Sequence, residues 1–546
     1  MQRIFLYILF CFTVLQTRAQ QQIVQRFYEN TVPGQLLKTN NGNYILTGGQ
    51  FVPSINREMA FFSVLDSVGN INYQTFYSLS GYHLSIFKSI FTSNNSIVHL
   101  CYIRELTTFN PIGIAFIKTD LSGNILLNKV FYASGQIKVC DFAYSSGNIT
   151  FCGAIDYGYV TTPTFYYHNL RFLIFQTDDN LNLNWAKEYH NKIKEAFYEI
   201  VATSDGGNIV QGISYDSVPT PARLDLVTMK FDASGNIVWA RQAGSPTFPP
   251  QGMTGVLTGK IREFNNGDIL NAFSCIWYTG LINGSYDIIL QKLDSSGNEI
   301  ASYRYGDNSY GTENLRDIII DDNQNILFTS LGLHIKARTD LTPIWVKNNM
   351  LSNINQGSYF GFYSLIHNPD DSYSGIAHTG TSVQNFPPNI NRICFMKTDS
   401  TGTGVCQPWP PYYLYMQPEQ VGNFNIISQL SSYPFNLSDS SISLTPYVYT
   451  MHDSVNCLSY SLLNENDFST VKVLPTVFSN HIQIQLSQNP DNNWSYSLYA
   501  INGKMLTSQK LVEDITISDF SSLSAGIYFL QVKSENDSKY FKIIKQ

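Results

Sequence analysis

One short phrase recurs along the chain and constrains its fold more than any other feature. It consists of a strand-forming run, then Asp-x-x-Gly-Asn, then a second strand-forming run. A type I turn followed by a residue at positive φ joins two antiparallel strands, and glycine occupies that position without strain. The Asp carboxylate can accept backbone N–H groups at the start of the turn. The intact copies supply Asp66 and Gly69, Asp120 and Gly123, Asp232 and Gly235, and Asp294 and Gly297.

Degraded copies of this turn begin at Asp178, Asp340 and Asp399, so the chain contains seven repeats of unequal but similar length. Each repeat also has an earlier hairpin, such as the one that turns at Asp205-Gly206-Gly207. Charged residues make up only 14% of the chain and aromatic residues another 14%, which is typical of strands and polar turns. Four strands per repeat and seven repeats resemble a β-propeller of the divergent bacterial type, over roughly residues 22–408.

The N-terminal segment supplies a strand that the last repeat lacks. The run Ile23–Tyr28 resembles the fourth strand of a repeat, whereas no obvious fourth strand follows Arg392–Thr398. We therefore predict that the N-terminal strand completes the last blade, which leaves no exposed sheet edge at the junction. The predicted fold class is all-β, a seven-bladed propeller over residues 20–408 followed by a small C-terminal Ig-like β-sandwich.

The first nineteen residues read as a signal peptide. Arg3 precedes the apolar stretch Ile4–Leu15, and the small residues Thr17 and Ala19 stand before the expected cleavage point. An exported chain can hold disulfides, and two pairs are candidates. Cys140 and Cys152 can face each other across a hairpin, and Cys406 and Cys457 bracket the region after the repeats. Buried thiols are the alternative, above all for Cys101, Cys275 and Cys394.

Residues 409–470 interrupt the pattern. This stretch contains no Lys or Arg, is rich in Pro and Ser, and shows few clear strands. We interpret it as a linker or an accessory segment that packs on the propeller.

From Val471 the alternation of apolar and polar residues returns and continues to the last residue. Leu474-Pro475 is followed by Tyr496-Ser497-Leu498-Tyr499 and a turn at Asn502-Gly503-Lys504. This order resembles the type A sorting domain of cargo proteins of the type IX secretion system of Bacteroidetes, although the second Pro of the family's Pro-Asn-Pro motif is missing. The residues that match the family are Pro475, Tyr499, Asn502, Gly503, Lys504, Gly526, Tyr528, Lys542 and Lys545.

The resemblance implies a route and a set of partners. It implies that residues 471–546 fold as a small β-sandwich, that the translocon at the outer membrane recognises them, and that they are then removed. The body would be attached to surface lipopolysaccharide or released, so we expect a secreted or cell-surface location, with the translocon and its sortase machinery as partners. An ordinary Ig-like module is the alternative identity of this domain.

The sequence offers no catalytic or cofactor-binding constellation. It contains neither HExxH nor GxSxG, and Ser85-Ile86-Phe87-Lys88 matches SxxK only inside a strand pattern. Calcium is the one cofactor left open, through Asp178-x-Asn180-x-Asn182 and Asp321-x-Asn323-x-Asn325, although hairpin turns explain both runs. A net charge of -7 argues against a nucleic-acid partner.

These observations favour a binding role over catalysis. We expect a rigid ring whose loops bind an extracellular protein or glycan. A secreted hydrolase or lyase with its site in the central channel is one alternative, and it requires ionisable groups that converge from the inner strands. A structural or adhesive surface component is the other.

Overall fold

The computed structural model shows two compact units. The first spans residues 19–461, and the second is described over residues 462–546. The described residues are 21–29, 31–161, 166–190, 194–216, 223–244, 252–278, 285–306, 314–330, 333–348, 362–379, 392–404, 415–418, 422–425, 431–434, 437–440, 444–447, 453–461, 471–474, 477–478, 480–486, 494–500, 504–511, 515–533 and 538–545. The predicted signal peptide lies outside them. Within these ranges, no helix is long and apolar enough to cross a membrane.

Strands fill most of the first unit, and the helical content of its described part is one 3-10 turn, Pro53–Ile55. The strands up to residue 404, in chain order, are β1 (Gln21–Glu29), β2 (Thr31–Lys38), β3 (Tyr44–Val52), β4 (Arg57–Leu65), β5 (Ile71–Ser78), β6 (Tyr82–Phe91), β7 (Ile97–Glu105), β8 (Pro111–Thr119), β9 (Ile125–Tyr132), β10 (Gln136–Ser145), β11 (Asn148–Thr161), β12 (Tyr166–Asp178), β13 (Leu183–His190), β14 (Lys194–Ala202), β15 (Asn208–Asp216), β16 (Arg223–Phe231), β17 (Ile237–Gly244), β18 (Gly252–Glu263), β19 (Ile269–Tyr278), β20 (Ser285–Leu293), β21 (Glu299–Gly306), β22 (Asp317–Ile320), β23 (Ile326–Thr329), β24 (Leu333–Ala337), β25 (Pro343–Asn348), β26 (Phe362–His367), β27 (Tyr373–Thr379) and β28 (Arg392–Lys397).

These strands form seven antiparallel units of four strands in the described part of the chain. Units 1 to 6 are consecutive: β2 to β5, β6 to β9, β10 to β13, β14 to β17, β18 to β21 and β22 to β25. Unit 7 combines β26, β27 and β28 with β1, which pairs with β28 from Val24↔Lys397 to Glu29↔Arg392. This is the pairing that the sequence predicts for the N-terminal strand.

The units follow one another in a closed cycle. The first strand of each unit contacts the first strand of the next, from β2 and β6 through to β22 and β26. The cycle closes because β2 also contacts β26, and because the Gln35 side chain donates a 2.8 Å hydrogen bond to the Ser364 hydroxyl across that junction. Apolar side chains from neighbouring sheets pack between the units. One such cluster joins Phe61 of unit 1 to Phe395 of unit 7.

Residues 415–461 contribute a fifth strand to six of the units. The strands are β29 (Tyr415–Pro418), β30 (Gly422–Asn425), β31 (Ser431–Pro434), β32 (Ser438–Ser440), β33 (Thr445–Tyr447) and β34 (Asp453–Ser461). They pair antiparallel with β21, β17, β13, β9, β5 and β1, and so pass units 5, 4, 3, 2, 1 and 7 in reverse order. We call these six strands the outer belt. The region that sequence patterns describe as a linker or accessory segment is thus part of the sheets.

The predicted Cys140–Cys152 pairing is wrong. Cys152 pairs with Asp141 in the ladder, and Cys140 occupies the point at which the register shifts, so the two cysteines are not direct cross-strand partners. Both side chains are thiols. Burial raises the pKa of the Cys140 thiol to about 12, which keeps it protonated at neutral pH. The side chains of Cys406 and Cys457 lie outside the described residues.

The second unit contains eight strands, which are β35 (Val471–Leu474), β36 (Val477–Phe478), β37 (His481–Leu486), β38 (Ser495–Ala500), β39 (Met505–Lys510), β40 (Ile515–Asp519), β41 (Gly526–Lys533) and β42 (Ser538–Lys545). They form a three-stranded sheet in the order β35-β37-β40 and a five-stranded sheet in the order β36-β42-β41-β38-β39. Residues from both sheets, such as Ile484, Leu498 and Leu530, share one buried core. The unit is therefore a two-sheet sandwich with its own core.

Candidate functional site

The repeated turns hold their own backbone and the neighbouring unit. At Asp232, one carboxylate oxygen accepts the N–H groups of Ser234 and Asn236, at 2.9 and 2.8 Å, and the Asn236 side chain donates to the other oxygen. These donors outweigh partial burial and lower the pKa of Asp232. Gly235 has φ +73°, and a Cβ built there would meet the Trp185 ring of the preceding unit at 2.6 Å. The turn glycine is therefore required both by its backbone conformation and by close packing.

A tyrosine of the preceding unit binds the carbonyl group at the same point of the turn. Tyr189 donates to the Gly235 carbonyl oxygen at 2.5 Å. Equivalent bonds join Tyr28 to Gly69, Tyr77 to Gly123 and Tyr305 to Leu341. At the junction between units 4 and 5, Arg241 binds the Gly297 carbonyl group instead, at 3.0 Å. The repeat-turn residues thus connect neighbouring units.

The two runs that resemble partial calcium loops have the same geometry. The Asp178 carboxylate accepts the N–H groups of Asn180 and Asn182 at 2.9 and 2.8 Å. The Asp321 carboxylate accepts the corresponding pair from Asn323 and Asn325, and Lys336 lies 2.9 Å from its second oxygen. Hydrogen bonds within the turns and this ion pair account for both carboxylates. Among the described residues, no three acidic, His or Cys side chains form a cluster suited to a metal ion.

A second set of polar residues lies on the first strands, one in each unit. Each stands four residues before the residue that opens the following hairpin turn. We call this set the inner polar ring: Gln35, Lys88, Asp141, Glu199, Lys260, Asp317 and Ser364.

Members of the inner polar ring bind across the junctions between units 2 to 5. Lys88 lies 2.5 Å from the Asp141 carboxylate. That carboxylate also accepts the N–H of Ile200, in unit 4, at 3.1 Å. Glu199 in turn accepts the N–H of Ile261 at 2.6 Å, and Lys260 lies 3.4 Å from its other oxygen. Each acidic side chain therefore ties its own unit to the next one.

The same relationship continues through units 5, 6 and 7. Arg262 lies between two carboxylates, 2.8 Å from Glu199 and 3.2 Å from Asp317. The Leu365 N–H donates to Asp317 at 2.8 Å, so that carboxylate ties unit 6 to unit 7. Ser364 then accepts the N–H of Leu36 in unit 1, at 3.2 Å. In each case a backbone N–H of the following unit donates to a side chain of the ring. The inner polar ring therefore joins neighbouring units.

The electrostatics of the ring suit this structural role. Burial disfavours the charged form of Glu199, but Arg262, Lys260 and Lys88 outweigh it and hold the pKa at about 2. For Asp317, burial outweighs the attraction of Lys260 and Arg262 and raises the pKa. An enzyme with its site in the channel would need carboxylates on the first strands, such as Glu199 and Asp317. They are already engaged by backbone N–H groups and cations of the protein, however, which leaves them little capacity to act on a substrate.

In units 2 and 7 the residue just before the inner polar ring is an exposed aromatic side chain. The pairing of β6 with β7 skips Phe87, and the pairing of β26 with β27 skips Tyr363. Phe87 is 48% exposed and Tyr363 is 38% exposed. The Arg316 guanidinium lies 5.2 Å from the centre of the Tyr363 ring and donates to its hydroxyl oxygen at 3.3 Å. Sequence patterns gave no indication of these residues, because bulges are invisible before the strands are paired.

Several of the predicted sorting residues are structural. Tyr528 is buried and donates to the Ser524 carbonyl oxygen at 2.8 Å. Lys545 is buried too; its ammonium group lies 6.0 Å from the centre of the Phe478 ring and contacts Asn480 at 3.5 Å. Gly526 is the first residue of β41. Pro475, Asn502 and Gly503, and the side chain of Lys542, lie outside what the structure describes.

The other predicted sorting residues lie on or beside the outer surface of the five-stranded sheet. Tyr499 is half-buried, and its hydroxyl donates to the Gln531 side chain at 3.0 Å. Lys504 is exposed, and its carbonyl oxygen accepts the Ala500 N–H at 2.9 Å, which closes the hairpin between β38 and β39. The sandwich therefore separates the family pattern into a buried part and an exposed part.

Comparison with known families identifies the second unit. Residues 472–546 match the family described as the secretion system C-terminal sorting domain. This confirms the assignment made from the Tyr-x-Leu-Tyr hairpin and the Lys-containing end. The chain is therefore cargo of the type IX secretion system, exported to the cell surface or the extracellular space.

Comparison with whole proteins gives only remote similarity. No curated protein matches the chain significantly. Among solved structures, PorZ, a surface component of the type IX secretion system of Porphyromonas gingivalis, aligns with 9% identity over 94% of this chain and 82% of that chain, at a TM-score of 0.28. A Bacteroides caccae protein of unknown function aligns with 9% identity over 59% of this chain and 92% of that one, at 0.29. The phage phi92 endosialidase aligns with 7% identity over 86% and 85%, at 0.37. Such scores carry no conclusion about fold or function.

Proposed function

We propose that the seven units form a seven-bladed β-propeller that acts as an extracellular binding module. In this proposal residues 1–19 are the signal peptide, 20–408 the propeller, 409–470 the accessory segment that supplies the outer belt, and 471–546 an Ig-like sorting domain. The cyclic order of unit contacts supports the propeller. The division of β35 and β36 between two sheets supports the Ig-like assignment.

The observation that favours binding is the pair formed by Arg316 and Tyr363. Among the described residues, β6 and β26 each pair with a strand on one side only, so a bulge on either strand presents its side chain at an open edge of the sheet. There the guanidinium lies over the phenol ring, and Phe87 supplies another exposed ring on the first strand of unit 2. Exposed planar groups of this kind stack on sugar rings or on aromatic side chains of a partner.

The acidic residues of the same strands favour binding over hydrolysis. A hydrolase in the channel needs a carboxylate that is free to transfer a proton or to attack a substrate. Asp141, Glu199 and Asp317 each accept a backbone N–H of the following unit and also lie beside a cation. Their contacts favour a rigid scaffold.

The test uses the secreted full chain and two variants, Tyr363→Ala and Phe87→Ala. Wild type is screened against immobilised glycans and against surface proteins of the producing cell. We expect the Tyr363→Ala variant to lose at least tenfold in affinity for whichever class is bound. Tyr73→Ala is the matched control, because Tyr73 is 46% exposed but lies on a fourth strand. Equal binding by wild type and both variants would contradict the assignment of the site.

A further inference from the structure

The outer surface of the five-stranded sheet carries a row of residues paired directly across its strands. In the ladder, Met505 pairs with Tyr499, and Tyr499 pairs with Phe529. Direct partners in an antiparallel sheet project from the same face. Leu498 and Leu530, which are next in sequence to Tyr499 and Phe529, are fully buried in the core. The row therefore faces away from the core.

Apolar side chains along this row are exposed. Met505 is 56% exposed and Phe529 is 39% exposed, while Tyr499 and Ile527 beside them are half-buried. We call these four residues the apolar stripe. On the outer surface of the three-stranded sheet, the described side chains are polar, with His481 exposed and Gln483 half-buried. The described part of the three-stranded sheet is thus polar on its outer surface, whereas the five-stranded sheet carries a contiguous apolar stripe, which is typical of an interaction site.

The stripe also lies beside an open strand edge. Within the described part of the chain, β39 pairs only with β38, so its second edge is free. Lys504, exposed, immediately precedes this strand. An open strand next to an apolar face can add a strand of a partner and bury side chains against it in the same step.

We propose that the secretion machinery recognises this domain through the apolar stripe and the open edge of β39, by adding a strand whose apolar side chains pack on the stripe. The family pattern supports this choice of occupant. Its buried members, Tyr528 and Lys545, are explained by contacts inside the sandwich. Two other members reach the surface, the half-buried Tyr499 and the exposed Lys504, and they lie on the stripe or next to it. Residues shared for recognition must remain accessible, and these two do.

The experiment measures export of the full chain in a host with an active type IX system. The variants are Met505→Ser and Phe529→Ser, and the control is His481→Ser on the opposite sheet. The readouts are the fraction of protein accessible to protease on intact cells and the folded fraction in the periplasm. We expect at least a tenfold loss of surface protein for both variants, with folded protein retained in the periplasm, and export at the wild-type level for the control.

Three outcomes would overturn the proposal. The first is export of both variants at the wild-type level, and the second is an equal loss in the control. The third is that the wild-type protein sediments as a dimer, that Met505→Ser sediments as a monomer, and that export is unchanged. The stripe would then be the contact between two copies of the chain. If Phe529→Ser is degraded, Met505→Ser and Met505→Glu decide, because this side chain lies at the sheet edge. Ligand binding by the first unit is measured separately, so this proposal and the proposed binding role can fail independently.

Discussion

The Tyr28 hydroxyl donates a 2.6 Å hydrogen bond to the carbonyl oxygen of Gly69, and both groups are buried. Tyr28 lies on β1, which completes unit 7, and Gly69 belongs to the repeated turn of unit 1. The bond therefore spans the junction at which the cycle of units closes. The same bond between Tyr77 and Gly123 joins units 1 and 2, so the closing junction uses the same contact as an internal one.

Replacement of Tyr28 by Phe should destabilise the ring. The substitution keeps the aromatic ring but leaves the Gly69 carbonyl oxygen without this buried donor. Loss of a buried partner costs about 1–3 kcal/mol of unfolding free energy. Denaturant unfolding of the secreted chain measures it. Tyr73→Phe is the control, since that hydroxyl is exposed and forms a hydrogen bond with the nearby Thr75 side chain. An equal effect of the two substitutions would rule out a special role for the closing bond.

Substitution of turn glycines should separate backbone strain from packing. Gly206 and Gly235 both have positive φ, +85° and +73°. A Cβ at position 206 meets nothing within 4 Å, whereas one at position 235 meets the Trp185 ring at 2.6 Å. We expect Gly206→Ala to cost about 1–2 kcal/mol for the left-handed conformation alone. Gly235→Ala should cost about 1–3 kcal/mol more of unfolding free energy, because the added methyl group overpacks the contact with Trp185. Paired unfolding curves measure the difference, and equal costs would contradict it.

The inner polar ring should make stability depend on pH. The folded-state pKa of Glu199, about 2, lies below its ordinary value of 4.5. The charged group therefore contributes stability that is fully present above about pH 4.5 and is lost as the pH falls towards 2. Glu199→Gln should flatten the dependence of unfolding free energy on pH in this window. At pH 7 it should cost about 3–5 kcal/mol, because Lys260 and Arg262 lose a buried partner.

Asp322→Asn is the control for that series. The Asp322 side chain is 94% exposed, so its replacement should leave the profile between pH 2 and 4.5 unchanged. Unfolding midpoints in denaturant, taken at several pH values, give both profiles. A Glu199→Gln variant that loses as much stability on acidification as wild type would show that this carboxylate does not contribute.

The outer belt should protect the N-terminal strand from hydrogen exchange. β1 lies between β28 and β34, and its alternate N–H groups therefore point to different neighbours. A chain that ends at Ser461 keeps β34, whereas one that ends at Thr450 lacks it. We expect the shorter chain to lose protection at about every second amide between Gln21 and Glu29. Mass spectrometry after exchange measures this, and identical protection in both chains would show that β34 contributes nothing to the edge.

Local chemistry made part of the fold predictable. The turn at Asp232 and Gly235 could be predicted from the sequence. The hydrogen bonds to the Asp and the positive φ of the Gly both arise within the five residues of the turn. The export domain was predictable for a different reason, since a continuous pattern extends from Tyr499 to Lys545. Tyr73 and Trp239 both stand seven residues after the Asp of their turns, yet Tyr73 is 46% exposed whereas Trp239 is 6% exposed. Spacing from the turn gives the register but does not determine what covers the side chain.

Contacts between distant residues could not be predicted. Glu199 and Arg262 are 63 residues apart, and nothing in the sequence of either strand indicates that the two side chains meet. The strands of the outer belt, such as Ser438–Ser440, are short and rich in Ser, so they lack the alternation that indicates a strand. They are strands because they pair with the fourth strands of the units, and the sequences of those strands lie elsewhere in the chain.

The position of β34 has a consequence for the timing of biosynthesis. Translation produces β1 first, but its second neighbour follows only at Asp453–Ser461, and the sorting domain begins shortly afterwards at Val471. A polypeptide interrupted before Asp453 lacks both the outer strand of unit 7 and the sorting domain. A polypeptide that carries the signal has already produced every strand of the body. Export that depends on the sorting domain is thus restricted to chains that contain the whole sequence of the body.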